Sequence, residues 1–270
     1  MSFTEYLRMF FQTDLGLFFV FVLGTMFGSF FNVCIYRLPH EDMSVVKPRS
    51  FCPSCKKPIP WYYNIPLVSY LFLRGKCAYC GTKISFRYFF IELLTGIIFV
   101  FGIVRFGVSF KALEFIVLSS IMLILFFTDL DERILPDEIT LGFIPVGLLF
   151  AYFSPDRTLK EAFFVAIIGA GLLFLLAYAY LKLKGIEGMG MGDVKMLALM
   201  GAFLGKKAFL ALMIASVLGT IVGLFIIYVL KKGKNYEIPF GCFLALGTVI
   251  AYLYGNQMIA YYIEHFFPRY

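Results

Sequence analysis

Charged residues are scarce in this sequence and histidine is nearly absent. Only 15% of the 270 residues are charged and 61% are hydrophobic, whereas an ordinary soluble domain carries about 25% charged residues. The composition therefore excludes an ordinary soluble domain. The two histidines, His40 and His265, lie far apart in the chain, so neither an H-E-x-x-H zinc protease nor a serine enzyme with a histidine base is expected. P-loop and G-x-S-x-G motifs are also missing.

Long apolar runs account for most of the hydrophobic residues. About 20 helical residues cross the ~30 Å hydrocarbon core of a bilayer, where only helices or closed barrels satisfy their backbone hydrogen bonds. The sequence therefore predicts an all-α polytopic membrane protein with about eight transmembrane helices. The predicted spans cover residues 14–36, 86–105, 111–128, 138–154, 160–182, 193–205, 207–230 and 240–264.

The N-terminal segment lacks the marks of a secretory signal peptide, which are a basic n-region and an A-x-A-like cleavage site. Several apolar side chains instead fall on one helical face and predict a short interfacial helix before the first span. These side chains are Phe3, Leu7, Phe10 and Phe11.

Basic residues set the expected orientation, because the cytoplasmic loops of membrane proteins collect Lys and Arg. The loop 37–86 is strongly basic and is predicted to be cytoplasmic. Alternation of the spans then places 129–137, 184–193 and 231–237 on the same side. We attribute the net charge of +7 to this topology and to attraction to anionic membrane lipid, and we expect no nucleic-acid partner.

The basic loop contains two C-x2-C pairs, formed by Cys52, Cys55, Cys77 and Cys80. This pattern is typical of a four-cysteine zinc ribbon, and it predicts a structural Zn2+ site because four thiolates leave no open coordination position. The alternatives are two disulfides or a redox C-x-x-C, although a cytoplasmic loop is in a reducing compartment. Cys34 and Cys242 lie in predicted spans and are expected to be packing residues.

Ionisable residues inside apolar spans are costly and usually functional. Three acids fit that description: Asp129, Asp193 and Glu92. Local structural roles stay open for two of them, because Asp193 follows a glycine-rich run as a helix N-cap would, and Asp129 could pair with Arg133 one helical turn later. Asp137, which follows a proline, is predicted to be the N-cap of the fourth span.

Asp129 and Asp193 share a predicted depth, since both lie at cytoplasmic ends of spans. Two carboxylates at close range share one proton, which leaves one as a base and the other as an acid, as in aspartic proteases. Such a pair would hydrolyse a peptide bond by activating water.

Two other classes of protein also use parts of this pattern. A cation or proton transporter would place acids among eight spans, although broken helices near the midplane, often in inverted repeats, would be expected. A non-enzymatic zinc-ribbon assembly factor would keep the cysteine loop without a need for both aspartates.

An ordered set of motifs makes nearly the whole chain resemble the type IV prepilin peptidases, the bacterial branch of the GxGD membrane aspartyl proteases. The motifs are GSFFNVCIYRLP (28–39), PWYYNIPLVSY (60–70), RGKC (74–77), RYFFIELLTG (87–96), DLDERILPD (129–137) and GMGDVK (190–195). The resemblance implies that Asp129 and Asp193 are the catalytic pair, with Asp131 as a competitor for the first role. It also implies that the catalytic loop is supported by Gly190, Gly192 and Lys195. One departure is the extra Gly-Met in GMGMGD, which makes the entry to the motif more flexible.

The resemblance further implies a reaction and a location. The substrates would be prepilins and pseudopilins, cut after a glycine at the end of a short basic leader, on the cytoplasmic side of a bacterial inner membrane. The acids Asp131, Glu132 and Glu138 could attract that leader. Many members then methylate the new N-terminus with S-adenosylmethionine through the first loop, but the sequence does not identify the residues that bind the donor. The expected domains are an interfacial segment with the first helix (1–36), the tetracysteine loop (37–86) and the protease bundle (87–270).

Overall fold

The structure is a computed structural model that describes residues 9–11, 13–40, 42–47, 49–185, 189–230 and 238–266. Two of the four side chains of the predicted interfacial helix, Phe3 and Leu7, lie outside the described residues. The described residues form helices and two isolated antiparallel bridges, with no longer strand. This confirms the all-α prediction.

The helices are as follows, in chain order: α1 (Asp14–Arg37), a 3-10 turn (Trp61–Tyr63), α2 (Val68–Phe72), α3 (Phe86–Phe106), α4 (Phe110–Glu132), α5 (Asp137–Thr140), α6 (Ile144–Phe153), α7 (Leu159–Lys184), α8 (Met191–Leu204), α9 (Lys207–Tyr228) and α10 (Phe240–Phe266). Within the described ranges, α1, α3, α4, α7, α9 and α10 are long and apolar enough to cross a membrane. The chain is therefore a multi-pass membrane protein.

The remaining two predicted spans are helical but shorter than a span. The predicted span 138–154 is divided between α5 and the 10 residues of α6, and Pro145 at the start of α6 favours the beginning of a new helix there. The predicted span 193–205 is α8, which has 14 residues and ends before Gly205 at φ +55°. Nine residues of α8, from Val194 to Leu204, are buried by surrounding helices. Protein rather than lipid therefore surrounds most of this short helix.

The chain forms two compact units, Met1–Ser120 and Ile121–Tyr270, with α4 continuing from the first into the second. In the first unit α1 packs closely on α3 through glycines spaced four apart. A Cβ added at Gly24 would lie 2.9 Å from Gly96 Cα, and one added at Gly28 would lie 2.7 Å from Glu92 Cα. Small residues at this spacing allow membrane helices to approach backbone to backbone.

The second unit is built around α8, which contacts α5, α6, α7, α9 and α10. Its contact with α7 is close, because a Cβ added at Gly201 would lie 2.6 Å from Ala166 Cα. This packing fixes the N-terminal end of α8, where Asp193 lies, within the same unit as Asp129 at the end of α4.

Candidate active site and metal centre

Asp129 lies in the last turn of α4, at the end of its long apolar run, and is only 6% exposed. Its Oδ2 accepts a hydrogen bond from the backbone N–H of Cys242 at 3.0 Å. Cys242 is the third residue of α10, and the N–H groups of a first helical turn have no partner within their own helix. The Asp129 carboxylate therefore satisfies a donor at the start of α10. Asp129 thus has a hydrogen-bond partner on another helix, beyond the local pairing with Arg133 that the sequence left open.

Asp193 is the third residue of α8 and is half-buried. The N-cap of α8 is Gly190, so the alternative that Asp193 itself caps the helix is wrong. The residue before it, Gly192, packs on Leu135, and Leu135 also lies beside the Asp129 carboxylate at Gly241. The structure thus brings together the two aspartates that the sequence predicted as a pair, although they come from different helices.

The side chain of Leu135 fills the space between the segments that carry the aspartates. A Cβ added at Gly192 would lie 3.0 Å from Leu135 Cβ, and one added at Gly241 would lie 3.1 Å from Leu135 Cδ1 and 2.8 Å from Asp129 Oδ2. Leu135 is 9% exposed. Glycine is therefore favoured at 192 by a close approach to Leu135.

Gly190 has a different environment from Gly192. The nearest heavy atoms to a Cβ added at Gly190 are 3.9 Å away, and its φ of −70° is accessible to any residue. Of the two glycines predicted to support the catalytic loop, only Gly192 is constrained by its neighbours in this structure.

Lys195 is held by Asp137, whose two carboxylate oxygens lie 2.7 and 2.8 Å from Nζ. Asp137 is the first residue of α5 and Pro136 is the N-cap, so the prediction that Asp137 caps this helix is wrong. The carboxylate instead joins α5 to α8. The pair is partly exposed, with side chains 31% and 56% accessible, so its contribution to stability is about 0–1 kcal/mol.

The other acids of this region face outward. Asp131 and Glu132 at the end of α4 and Glu138 in α5 are all exposed, in contrast to the buried Asp129. Exposed acids can attract a basic segment through solvent, whereas a buried acid is available only to groups inside the site.

The four cysteines of the loop come together as the spacing predicted. The Sγ atoms of Cys52, Cys55, Cys77 and Cys80 all lie within 4.8 Å of one another, and those of Cys52 and Cys80 are 3.9 Å apart. A tetrahedral zinc with Zn–S bonds of about 2.3 Å has S···S edges of about 3.8 Å. All six cysteines lie in described segments and are free thiols, which does not support the two-disulfide alternative. The donor set therefore fits one Zn2+ ion.

The two C-x2-C pairs repeat one backbone arrangement, which the sequence analysis did not identify. In each, the first cysteine N–H donates to the carbonyl five residues later, at 3.0 Å for Cys52 and 2.9 Å for Cys77. The residue after the second cysteine has a positive φ, +58° at Lys56 and +69° at Gly81. Both pairs are thus held in matching tight turns by the backbone, which presents two thiols from each turn to a common centre.

Without a cation, the thiols compete for negative charge. Hydrogen bonding with the Thr82 side chain and backbone lowers the pKa of the Cys80 thiol to about 6. A hydrogen bond with the Lys57 backbone lowers the pKa of the Cys55 thiol. Desolvation outweighs this effect together with the neighbouring thiols of Cys52, Cys80 and Cys77, and the pKa of Cys55 is raised to about 11. A bound dication removes this conflict, because it stabilises all four thiolates together.

Two family models match the chain. The Bacterial Peptidase A24 N-terminal domain matches residues 22–106, and the Type IV leader peptidase family matches residues 116–224.

Curated proteins named "Prepilin leader peptidase/N-methyltransferase" are similar over most of the chain. The one from Aeromonas hydrophila is 35% identical over 271 residues, which covers 92% of this chain and 93% of that protein. The Neisseria gonorrhoeae protein is 39% identical over 243 residues, covering 82% and 84%. The Bacillus subtilis protein is 34% identical over 248 residues, covering 91% and 97%. No solved structure matches the chain significantly.

Proposed function

The chain belongs to the type IV leader peptidase family, and from that premise we propose that it cleaves the basic leader of prepilins and pseudopilins and then methylates the new N-terminus. The cut follows a glycine on the cytoplasmic side of a bacterial inner membrane. The proposal is carried by one observation, which is that the start of the helix of Asp193 and the carboxylate of Asp129 meet around Leu135 in one unit: a Cβ added at Gly192 would lie 3.0 Å from Leu135 Cβ, and one added at Gly241 would lie 3.1 Å from Leu135 Cδ1 and 2.8 Å from Asp129 Oδ2.

Peptide cleavage by this pair needs only water. One carboxylate takes a proton from water as the water oxygen attacks the scissile carbonyl carbon, and the protonated partner hydrogen-bonds the carbonyl oxygen. Proton return to the nitrogen breaks the C–N bond, which releases the leader as a carboxylic acid and the pilin as an amine. The hydrogen bond from the Cys242 N–H to Oδ2 holds the Asp129 carboxylate in position for the reacting groups.

Substrate approach is guided by charge and by membrane depth. The exposed Asp131, Glu132 and Glu138 follow Asp129 closely in the chain, and they attract the basic leader. The apolar helix that follows the cleavage site in the substrate stays in the bilayer, beside the long apolar helices of the enzyme.

Methylation is assigned to the first unit, which contains the tetracysteine loop. Zinc held by Cys52, Cys55, Cys77 and Cys80 closes the two matching turns and contributes folding free energy to the loop. S-adenosylmethionine, when bound, would supply an electrophilic methyl group: the new terminal amine would form the N–CH3 bond as the S–CH3 bond breaks, leaving S-adenosylhomocysteine and releasing a proton to solvent.

The test is cleavage of a purified prepilin by the purified protein in detergent, followed by mass spectrometry. Asp129→Asn and Asp193→Asn should each abolish cleavage while the protein stays folded, because Asn keeps the volume but cannot exchange the proton. Asp131→Asn is the matched control, since it removes an exposed carboxylate two residues from Asp129, and it should retain cleavage within a few-fold. Full activity of the Asp129 variant with loss in the Asp131 variant would move the first catalytic role to Asp131. Absence of cleavage by the wild-type protein would favour a transporter or assembly factor.

A further inference from the structure

The first unit contains a cavity of about 360 Å3 that the peptidase mechanism does not use. It lies between the end of α1, the tetracysteine loop, α2 and the start of α3. Its volume is in the range of about 300–1,000 Å3 that is typical of small-molecule sites. The lining combines aromatic rings with polar side chains, among them Arg37, Tyr63, Asn64 and Glu92. Such a lining is suited to a ligand with one flat apolar part and one charged part.

The charges of the cavity are few and of opposite sign. Among its lining residues Glu92 carries the only carboxylate, while Arg37 and Lys83 carry the positive charges. Arg37 is 4% exposed and uses Nη1 to donate to the Ser44 carbonyl at 2.8 Å, and a guanidinium has four further N–H donors. A polyphosphate would need more positive charge and would be repelled by Glu92. The cavity therefore favours a zwitterion whose cationic part faces Glu92 and whose carboxylate faces Arg37.

Glu92 is held in place before any ligand binds. Its Oε2 accepts the backbone N–H of Leu67 at 2.7 Å, and Leu67 has φ +60° and ψ −49°, a combination that is unfavourable for a residue with a side chain. Strained backbone of this kind persists where the surrounding structure imposes it, and it is common at binding sites. A carboxylate accepts about four hydrogen bonds, so the Leu67 contact leaves acceptor capacity for a ligand.

On the basis of the proposed methyltransferase function, we propose that this cavity is the S-adenosylmethionine site, with Glu92 facing the positively charged end of the donor. The donor fits the chemistry of the lining, because it joins a flat adenine to a sulfonium, an ammonium and a carboxylate. Cys52 and Cys77 belong to the same cavity wall. The zinc-closed turns therefore shape the site, and binding of the donor should depend on the metal.

The experiment measures binding of radiolabelled S-adenosylmethionine to the full-length protein in detergent by equilibrium dialysis, with no pilin present. Glu92→Gln removes the charge but keeps an oxygen to accept the Leu67 N–H, so the fold is retained. We expect it to weaken binding of S-adenosylmethionine at least tenfold. Binding of S-adenosylhomocysteine, whose sulfur is neutral, should weaken by a smaller factor. Asp14→Asn removes an exposed carboxylate of the same unit and is the matched control, with unchanged binding.

A second measurement locates the bound donor. Ultraviolet cross-linking of the labelled donor, followed by peptide mapping, should label peptides within 29–92. Labelling of peptides from the second unit, or equal binding by the wild type and Glu92→Gln, would overturn this site while leaving the proposed activities intact. If the wild type binds no S-adenosylmethionine but still cleaves prepilin, the methyltransferase part of the proposed function fails together with the site.

Discussion

Replacing Gly192 by alanine tests how closely the catalytic loop must approach its neighbours. The added Cβ would lie 3.0 Å from Leu135 Cβ and 3.1 Å from Leu135 Cδ1, which is closer than normal van der Waals contact. Overpacking of a tightly packed site costs about 1–3 kcal/mol. If the strain is relieved by displacing the neighbouring Asp193, the same energy corresponds to a roughly 5- to 150-fold loss in kcat/KM.

The assay is cleavage of a fluorogenic prepilin peptide under kcat/KM conditions, with thermal unfolding measured on the same preparations. Gly190→Ala is the matched control, since its added Cβ would have no heavy atom nearer than 3.9 Å, and it should retain activity within about twofold. Shortening Leu135 to alanine in the Gly192→Ala background should restore only the part of the lost activity that comes from the Cδ1 contact, because alanine keeps the Cβ that would lie 3.0 Å from the new Cβ. Equal losses at 190 and 192 would refute the close-approach argument.

Three further changes address the metal loop and the polar contacts. Lys56→Gly should stabilise the zinc-loaded loop by about 1 kcal/mol and Gly81→Ala should destabilise it by a similar amount, because both positions have positive φ. Competition for the metal with a chromogenic chelator measures the zinc affinity of both variants. A change of zinc affinity in the same direction in both variants would contradict the matching turns. Lys195→Met should lower the free energy of unfolding by no more than about 1 kcal/mol, since its pair with Asp137 is partly exposed; a loss above that in chemical denaturation would show a larger structural role. Removing zinc with a strong chelator should reduce N-methylation more than cleavage, and equal loss of both in mass spectrometry would place the loop in the protease site.

Local patterns made part of the site predictable from the sequence. The two C-x2-C pairs were sufficient to predict the four-thiol cluster. Each tight turn is encoded within a few residues, so the only tertiary contact that the cluster needs is the one between the two turns. The apolar runs gave the six long helices, since length and hydropathy determine a span. The position of Asp129 at the end of such a run marked it as an unusual acid, and its side chain is buried.

Contacts that depend on tertiary packing were not available from the sequence. The Cys242 N–H that meets Asp129 is 113 residues away, and a backbone donor has no sequence signature. The same holds for Leu135, whose apolar side chain looks like any other. Asp137 was predicted as a helix cap because it follows a proline, but the opposite charge of Lys195, brought near by packing of α5 on α8, provides a stronger partner. The bounds of α8 lie close to the predicted 193–205, but its enclosure by other helices was not predicted, because an apolar helix surrounded by protein resembles a membrane span.

The central claim is that Asp129 and Asp193 form a peptidase pair while methylation resides in the first unit. The most direct test gives purified Asp193→Asn protein two substrates, an intact prepilin and a pilin whose leader has already been removed, with S-adenosylmethionine present. We expect mass spectrometry to show the prepilin uncut and the pre-cut pilin carrying one additional methyl group at its N-terminus. Cleavage of the prepilin by this variant would contradict the claim, and so would loss of methylation on the pre-cut pilin in a protein that remains folded.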